Sequence, residues 1–174
     1  MKEIKWAVLG CGVIANEMAV ALQKNGKNIY AVGNRTHEKA AAFAEKYGIG
    51  KVYDDFHEMF TDPEVDVIYI TTPHNTHLGF MKEAIANGKH ILVEKSITLN
   101  SDELDEAIAL AKEKGVIIGE AMTIYHMPIY KELKKFSTPP SRQSQSDHDE
   151  LRQFQRVQHE EPLLQPESRR RRDA

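Results

Sequence analysis

Short apolar runs alternate with helically spaced stretches through residues 4–119, and that alternation decides what this chain can fold into. The most demanding run is Val67-Ile68-Tyr69-Ile70, between Asp66 and Thr71. Consecutive apolar residues in a strand point to both faces, so both faces must be covered. Further strands are expected at Ile4–Leu9, Ile29–Gly33, around Val52, at His90–Val93 and at Val116–Gly119. Between them the apolar spacing is helical. Ile14, Met18 and Leu22 share a face of a helix over Val13–Lys24, and Ala40, Phe43, Ala44 and Tyr47 a face of one capped by Thr36 and ended by Gly48. A short turn over Asp55–Phe60 follows. Leu78, Met81 and Ile85 mark a helix ended by Asn87-Gly88, and Leu104, Ala107, Ile108 and Ala111 one capped by Ser101. Met127–Phe136 opens a last helix. Strand–helix–strand units with right-handed crossovers give an α/β fold, a doubly wound parallel sheet in the order 3-2-1-4-5-6. It occupies residues 1–120.

Composition divides the chain near residue 136. Residues 1–136 hold 15 Lys, 1 Arg and all 10 Gly, whereas 137–174 hold no Lys and 7 Arg. Ile falls from 14 to none, and Gln rises from 1 to 6. One fold does not select such a switch, and a change of reading frame or a fusion produces it. Residues 137–174 are polar and without a lasting period, so they are expected to be disordered. Arg169–Arg172 are read as part of that tail, not as a nucleic-acid patch. With a net charge of −3, no global field favours nucleic acid or anionic lipid. No apolar run approaches a membrane span. Lys2 and Lys5 before Trp6–Cys11 faintly imitate a lipoprotein signal, but the residues that follow fit a strand and helix better. Cys11 is the single cysteine, which excludes an internal disulfide and suits a reducing cytoplasm.

The chemistry-bearing residues fall just past strand ends. Gly10-Cys11-Gly12-Val13-Ile14-Ala15 is a G-x-G-x-x-A that follows the first strand and opens the first helix. Gly10 permits the tight turn, Gly12 lets a pyrophosphate approach backbone, and Ala15 allows close helix–strand packing. The helix N-terminus adds N–H donors and a positive dipole end. A dinucleotide is the implied ligand, with Cys11 a small spacer. An acid that holds the ribose 2′-OH usually ends the second strand. Here that strand ends Gly33-Asn34-Arg35. Arg35 attracts a 2′-phosphate, so NADP is expected, with NAD the alternative. Thr72, Pro73, His74 and His77 follow the fourth strand, and Glu94-Lys95-Ser96 the fifth. In an open parallel sheet these ends share the edge where ligands bind. His74 and His77, at i, i+3 in a loop without a third ligand, are poorly spaced for zinc, and no metal is expected.

Together these residues resemble the N-terminal half of the Gfo/Idh/MocA oxidoreductases, a Rossmann fold. Asn34-Arg35, Ala44-Glu45-Lys46-Tyr47-Gly48, Gly88-Lys89-His90 and Glu120-Ala121-Met122 complete the likeness. The resemblance implies hydride transfer between nicotinamide and a hydroxyl of a sugar, polyol or dihydrodiol. It makes Lys95 the catalytic lysine of a Glu-Lys-Pro motif. Glu94 would contact the nicotinamide ribose, and Pro73 and His77 would line the nicotinamide end. Two departures stand out: Ser96 replaces the motif's proline, and His74 the usual Asn. The family's second, α+β domain carries most substrate contacts, a second catalytic residue and the oligomer interface. Residues 121–136 resemble its start, and nothing after Phe136 resembles the rest. The chain is therefore expected to be shortened or frameshifted. A cis bond before serine costs about 2.5–4 kcal/mol, so a trans Lys95–Ser96 bond or a mobile loop is expected. Lys95 would then be imperfectly aimed, with cofactor bound better than substrate is turned over. The alternative is a non-catalytic NADP(H)-binding domain.

Overall fold

The computed structural model describes residues 3–137. Strands and helices alternate in the order β1 (Trp6–Leu9), α1 (Val13–Lys24), β2 (Ala31–Gly33), α2 (His37–Tyr47), β3 (Lys51–Tyr53), α3 (Phe56–Thr61), β4 (Val67–Ile70), α4 (His77–Ala86), β5 (His90–Val93), α5 (Ser101–Lys114), β6 (Ile118–Glu120) and α6 (Pro128–Ser137). A 3₁₀ turn at His74–Thr76 precedes α4. The six strands form one parallel sheet in the order β3-β2-β1-β4-β5-β6, as the alternation predicts.

Both faces of this sheet are covered, and the central strands divide their side chains between them. Ala7, Leu9, Ile68, Ile70, Ile91 and Val93 pack with Met81, Ala84 and Ile85 of α4 and with Ala107 and Ala111 of α5. Val8, Val32 and Tyr69 pack on the other face with Ala15 and Ala19 of α1 and with Ala40, Phe43 and Tyr47 of α2. All four residues of β4 are buried, which accounts for its unbroken apolar run.

Element boundaries differ from expectation where turn chemistry decides them. Asn100, not Ser101, caps α5: its Oδ1 accepts from Glu103 N at 2.9 Å, while Glu103 Oε2 accepts from Leu99 N at 3.0 Å. That reciprocal pair resembles a capping box. Thr36 holds the N-cap position of α2, but its side chain makes no capping bond. Gly115, at φ +67°, ends α5, and Val116 N donates back to Ala111 O. That return uses up Val116, so β6 begins only at Ile118.

The chain divides into two compact units after Met122. In the second, Tyr125 and Tyr130 stack edge-to-face at 5.0 Å, and Ile124, Met127, Ile129 and Leu133 are exposed. Helix α6 runs to Ser137, one residue past the compositional break. The disorder expected beyond it falls outside the described residues.

A polar knot closes the amino-terminal edge of the sheet. The buried Asp62 carboxylate accepts from Lys51 Nζ at 2.8 Å, from Tyr30 Oη at 3.3 Å, from Tyr53 Oη and from the Glu64 amide. Lys89 Nζ donates to the carbonyls of Asp62 and Val65. Burial alone would raise the Asp62 carboxyl, but Lys51, Tyr53 and the Glu64 amide outweigh it and hold it well below the usual carboxylate range. A depressed folded-state pKa adds stability above the unfolded value, and that stability is lost as pH falls through the folded one. Melting temperature should therefore fall as pH drops below about 4. Asp62→Asn should flatten that acid limb. Asp62→Ala, which strands the Tyr53 hydroxyl, should cost about 1–3 kcal/mol at neutral pH by denaturant unfolding.

Candidate cofactor-binding site

The ladder register sets the strand ends side by side. Leu9 pairs with Gly33 and Ile70, Ile70 with Val93, and Val93 with Glu120. The groups hanging from these ends therefore share one edge: Gly10, Asn34-Arg35, Thr71-Thr72-Pro73 and Glu94-Lys95. Gly10 and Gly12 serve it differently. Gly10 has φ +106°, and a Cβ there would lie 2.5 Å from Thr71 Oγ1. Its N–H donates to Gly33 O at 2.8 Å. Gly12 is the N-cap of α1 and offers no side chain to cap the first turn. A Cβ on it would meet nothing within 4 Å, so the space above it is open. Uncapped N–H groups beneath an open glycine suit a dinucleotide pyrophosphate. Ala15 is fully buried against the sheet, as its place in the motif requires. A groove of about 770 Å³ starts at Cys11, Gly12 and Val13 and continues along α1 to Lys46 and Tyr47. It takes in the glycine loop but not Arg35, Pro73 or Lys95.

Cys11 is partly buried, and burial pushes its thiol up to about 11. It is protonated at neutral pH and fits the role of spacer. Val13 and Ile14 follow it in the first turn, both exposed. Arg35 is exposed and, among the described residues, has no ion-pair partner. Asn34 Nδ2 is turned to Thr36 O at 3.0 Å. Asp54, at the end of neighbouring β3, is paired with His37.

The loops after β4 and β5 are tied together. His77 is fully buried, its Nδ1 3.0 Å from Ser96 O and its Nε2 2.9 Å from Thr72 O. His74 Nε2 donates to Lys95 O at 2.7 Å. Ile97 N donates to Glu120 Oε1 at 2.9 Å, and Glu94 N to Ile70 O at 2.9 Å. The Lys95 side chain stands exposed on this frame. Glu94 accepts from the Tyr69 hydroxyl, which burial and then the Glu94 carboxylate push up, so it stays a donor. Thr72 Oγ1 lies 2.7 Å from Thr76 Oγ1, and Thr76 Oγ1 donates to Pro73 O.

Two expectations change here. The Lys95–Ser96 bond is cis, not trans. The carbonyls on its two sides are held by His74 and His77, so contacts within this domain define the loop. The main chain of this loop is thus tied without contacts from a second domain. His77 lies beneath the loops, with both ring nitrogens turned to backbone. Neither that tie nor Glu120's hold on Ile97 is apparent from spacing. Glu120 at the end of β6 was the available signal, being a carboxylate at the same edge. Among the described residues no three His, Cys, Asp or Glu side chains come together to hold a metal, and no helix is long and apolar enough to cross a membrane.

A parallel sheet with a positive-φ glycine, an open glycine above an uncapped helix and polar strand ends on one edge defines a dinucleotide-binding domain. The Gfo/Idh/MocA model, an oxidoreductase family with an NAD-binding Rossmann fold, matches residues 4–122. The chain belongs to that family. It is 34% identical over 133 residues to trans-1,2-dihydrobenzene-1,2-diol dehydrogenase of Xenopus tropicalis, covering 75% of this chain and 40% of that protein. It is 32% identical over 116 residues to 1,5-anhydro-D-fructose reductase of Ensifer adhaerens, covering 66% and 35%. Among solved structures, a 3-ketoreductase from Actinomadura kijaniata in complex with TDP-benzene and NADP matches with a TM-score of 0.72 at 26% identity, covering 78% of this chain and 42% of that one. An NAD binding oxidoreductase from Klebsiella pneumoniae matches with 0.72 at 28%, covering 77% and 38%. The chain thus spans about two fifths of the length of the dihydrodiol dehydrogenase.

The two glycines should separate stability from binding. Gly10→Ala forces a side chain into φ +106° against Thr71, and should cost at least about 1–3 kcal/mol by denaturant unfolding. Gly12→Ala should cost less than about 1 kcal/mol. In a fluorescence titration it should nonetheless weaken dinucleotide binding severely, because its methyl fills the open space.

Proposed function

We propose that this domain binds NADP(H) and serves an oxidoreductase acting on a hydroxyl or ketone carbon of a sugar, polyol or dihydrodiol. The adenine end would rest on Arg35 and Asn34, the pyrophosphate on Gly10, Cys11, Gly12, Val13 and Ile14, and the nicotinamide end on Thr72, Pro73, His74, Glu94 and Lys95. Arg35 carries the cofactor preference: it is exposed at the end of β2, where an NAD-preferring domain usually has an acid. Bound nicotinamide supplies or accepts the hydride. Lys95, its main chain fixed and its side chain exposed, hydrogen-bonds the reacting oxygen, giving it a proton as the ammonium in reduction and taking one as the neutral amine in oxidation. The substrate class rests on the relatives' names, a diol dehydrogenase and two carbonyl reductases. Residues 121–136 are read as the start of a substrate-contacting domain, and the reducing cytoplasm suits a chain whose single cysteine is Cys11.

Arg35→Ala tests the cofactor. A charge-assisted phosphate contact is worth about 1.5–3 kcal/mol, so NADPH affinity should fall about 10- to 150-fold while NADH affinity barely changes. Equal losses would refute the 2′-phosphate role. Lys95→Met should lower NADPH affinity far less than Arg35→Ala does and abolish any polyol or diol turnover. NADPH binding with no turnover by the parent chain on such substrates would favour the non-catalytic alternative.

A further inference from the structure

Four successive residues around Lys95 are each held by a different part of the domain. Glu94 N belongs to the ladder with β4, Lys95 O accepts from His74, Ser96 O faces His77, and Ile97 N donates to Glu120. Of the three side chains among these holders, His77 alone has no exposed surface. Its second ring nitrogen meets the loop after β4, at Thr72 O, 2.9 Å away. One imidazole thus spans the two loops that carry Pro73 and Lys95. A buried histidine serving only to fill the core would not need both nitrogens beside carbonyl oxygens. Carbonyl oxygens only accept, so each protonated ring nitrogen makes one tie and a neutral ring makes one at a time.

We propose that His77 is a positioning residue, whose buried imidazole clasps the β4 and β5 loops so that Pro73 and Lys95 present a single preformed surface to the nicotinamide end of the cofactor. This rests on the cofactor reading above. It differs from a place in the cofactor lining, because His77 acts through the Ser96 and Thr72 carbonyls and touches no ligand itself.

The test uses the full 174-residue chain and two probes: NADPH, followed by nicotinamide fluorescence, and adenosine 2′,5′-bisphosphate, which lacks the nicotinamide half. His77→Leu removes the imidazole and with it a tie to either carbonyl, and His77→Asn restores an N–H near the position of Nδ1. Expected is a loss of NADPH affinity of about tenfold or more in His77→Leu, the order of one hydrogen-bonded tie. The fluorescence enhancement should fall with it, while bisphosphate affinity should stay within about twofold. His77→Asn should recover most of the NADPH signal. A role confined to core packing would instead lower melting temperature and both affinities together, with no rescue by Asn. That result overturns the proposal, as does failure of both variants to fold, since positioning requires a domain that stands without the clasp. A parent chain that binds neither probe overturns the cofactor reading and this one with it. A parent that binds both, with His77→Leu unchanged, overturns this one alone.

Discussion

The end of β1 is stitched on both sides. Leu9 O accepts from Thr71 N at 2.9 Å and from Thr71 Oγ1 at 3.1 Å, while Gly10 N donates to Gly33 O at 2.8 Å. These bonds carry the ladder one residue past its last pairs, so three strands end at the same height. Gly10 must then turn within a space that Thr71 already crowds, which only a residue without a Cβ can do. The turn delivers Gly12 to the head of α1. The open edge, the uncapped helix and the neighbouring loops all follow from that alignment.

The two edges of the sheet have opposite polar economies. At the amino-terminal edge Asp62, Lys51, Tyr53 and Lys89 satisfy one another, tying α3 to β3 and to the segments entering β4 and β5. At the carboxyl edge the main chain is well satisfied, but the side chains of Arg35 and Lys95 are exposed. Charge is neutralised where it serves cohesion and left available where a ligand would meet it. Substitutions at Asp62 and Arg35 should therefore report on separate properties, being at opposite ends of the strands.

The fold was legible because its signals are local and agree with one another. The apolar runs mark strands buried on both faces, the glycines at 48 and 88 mark turns, and the order of strands follows from crossover handedness. Boundaries slipped where two residues compete for a cap, as Asn100 and Ser101 do, where a Schellman-type return uses up residues that look like strand, as at Val116, and at the starts of β1 and β2, which begin two residues later than expected. The candidate site was legible as a set of strand ends, since parallel pairing brings any such ends together. The ties between loops were not legible. They join side-chain nitrogen to main-chain carbonyl across 19 and 21 residues, and no periodicity encodes such a meeting.

Those ties also change what serine at position 96 means. A loop defined only by its own residues would depend on a proline for its path, and Ser96 would then signal a relaxed or wandering lysine. Here the path is imposed from outside the loop: β4 holds Glu94, His74 and His77 hold the next two carbonyls, and Glu120 holds Ile97. All of those contacts arise before residue 123, inside the unit that carries the glycine loop. The frame that holds the main chain around Lys95 is thus part of the dinucleotide-binding domain itself.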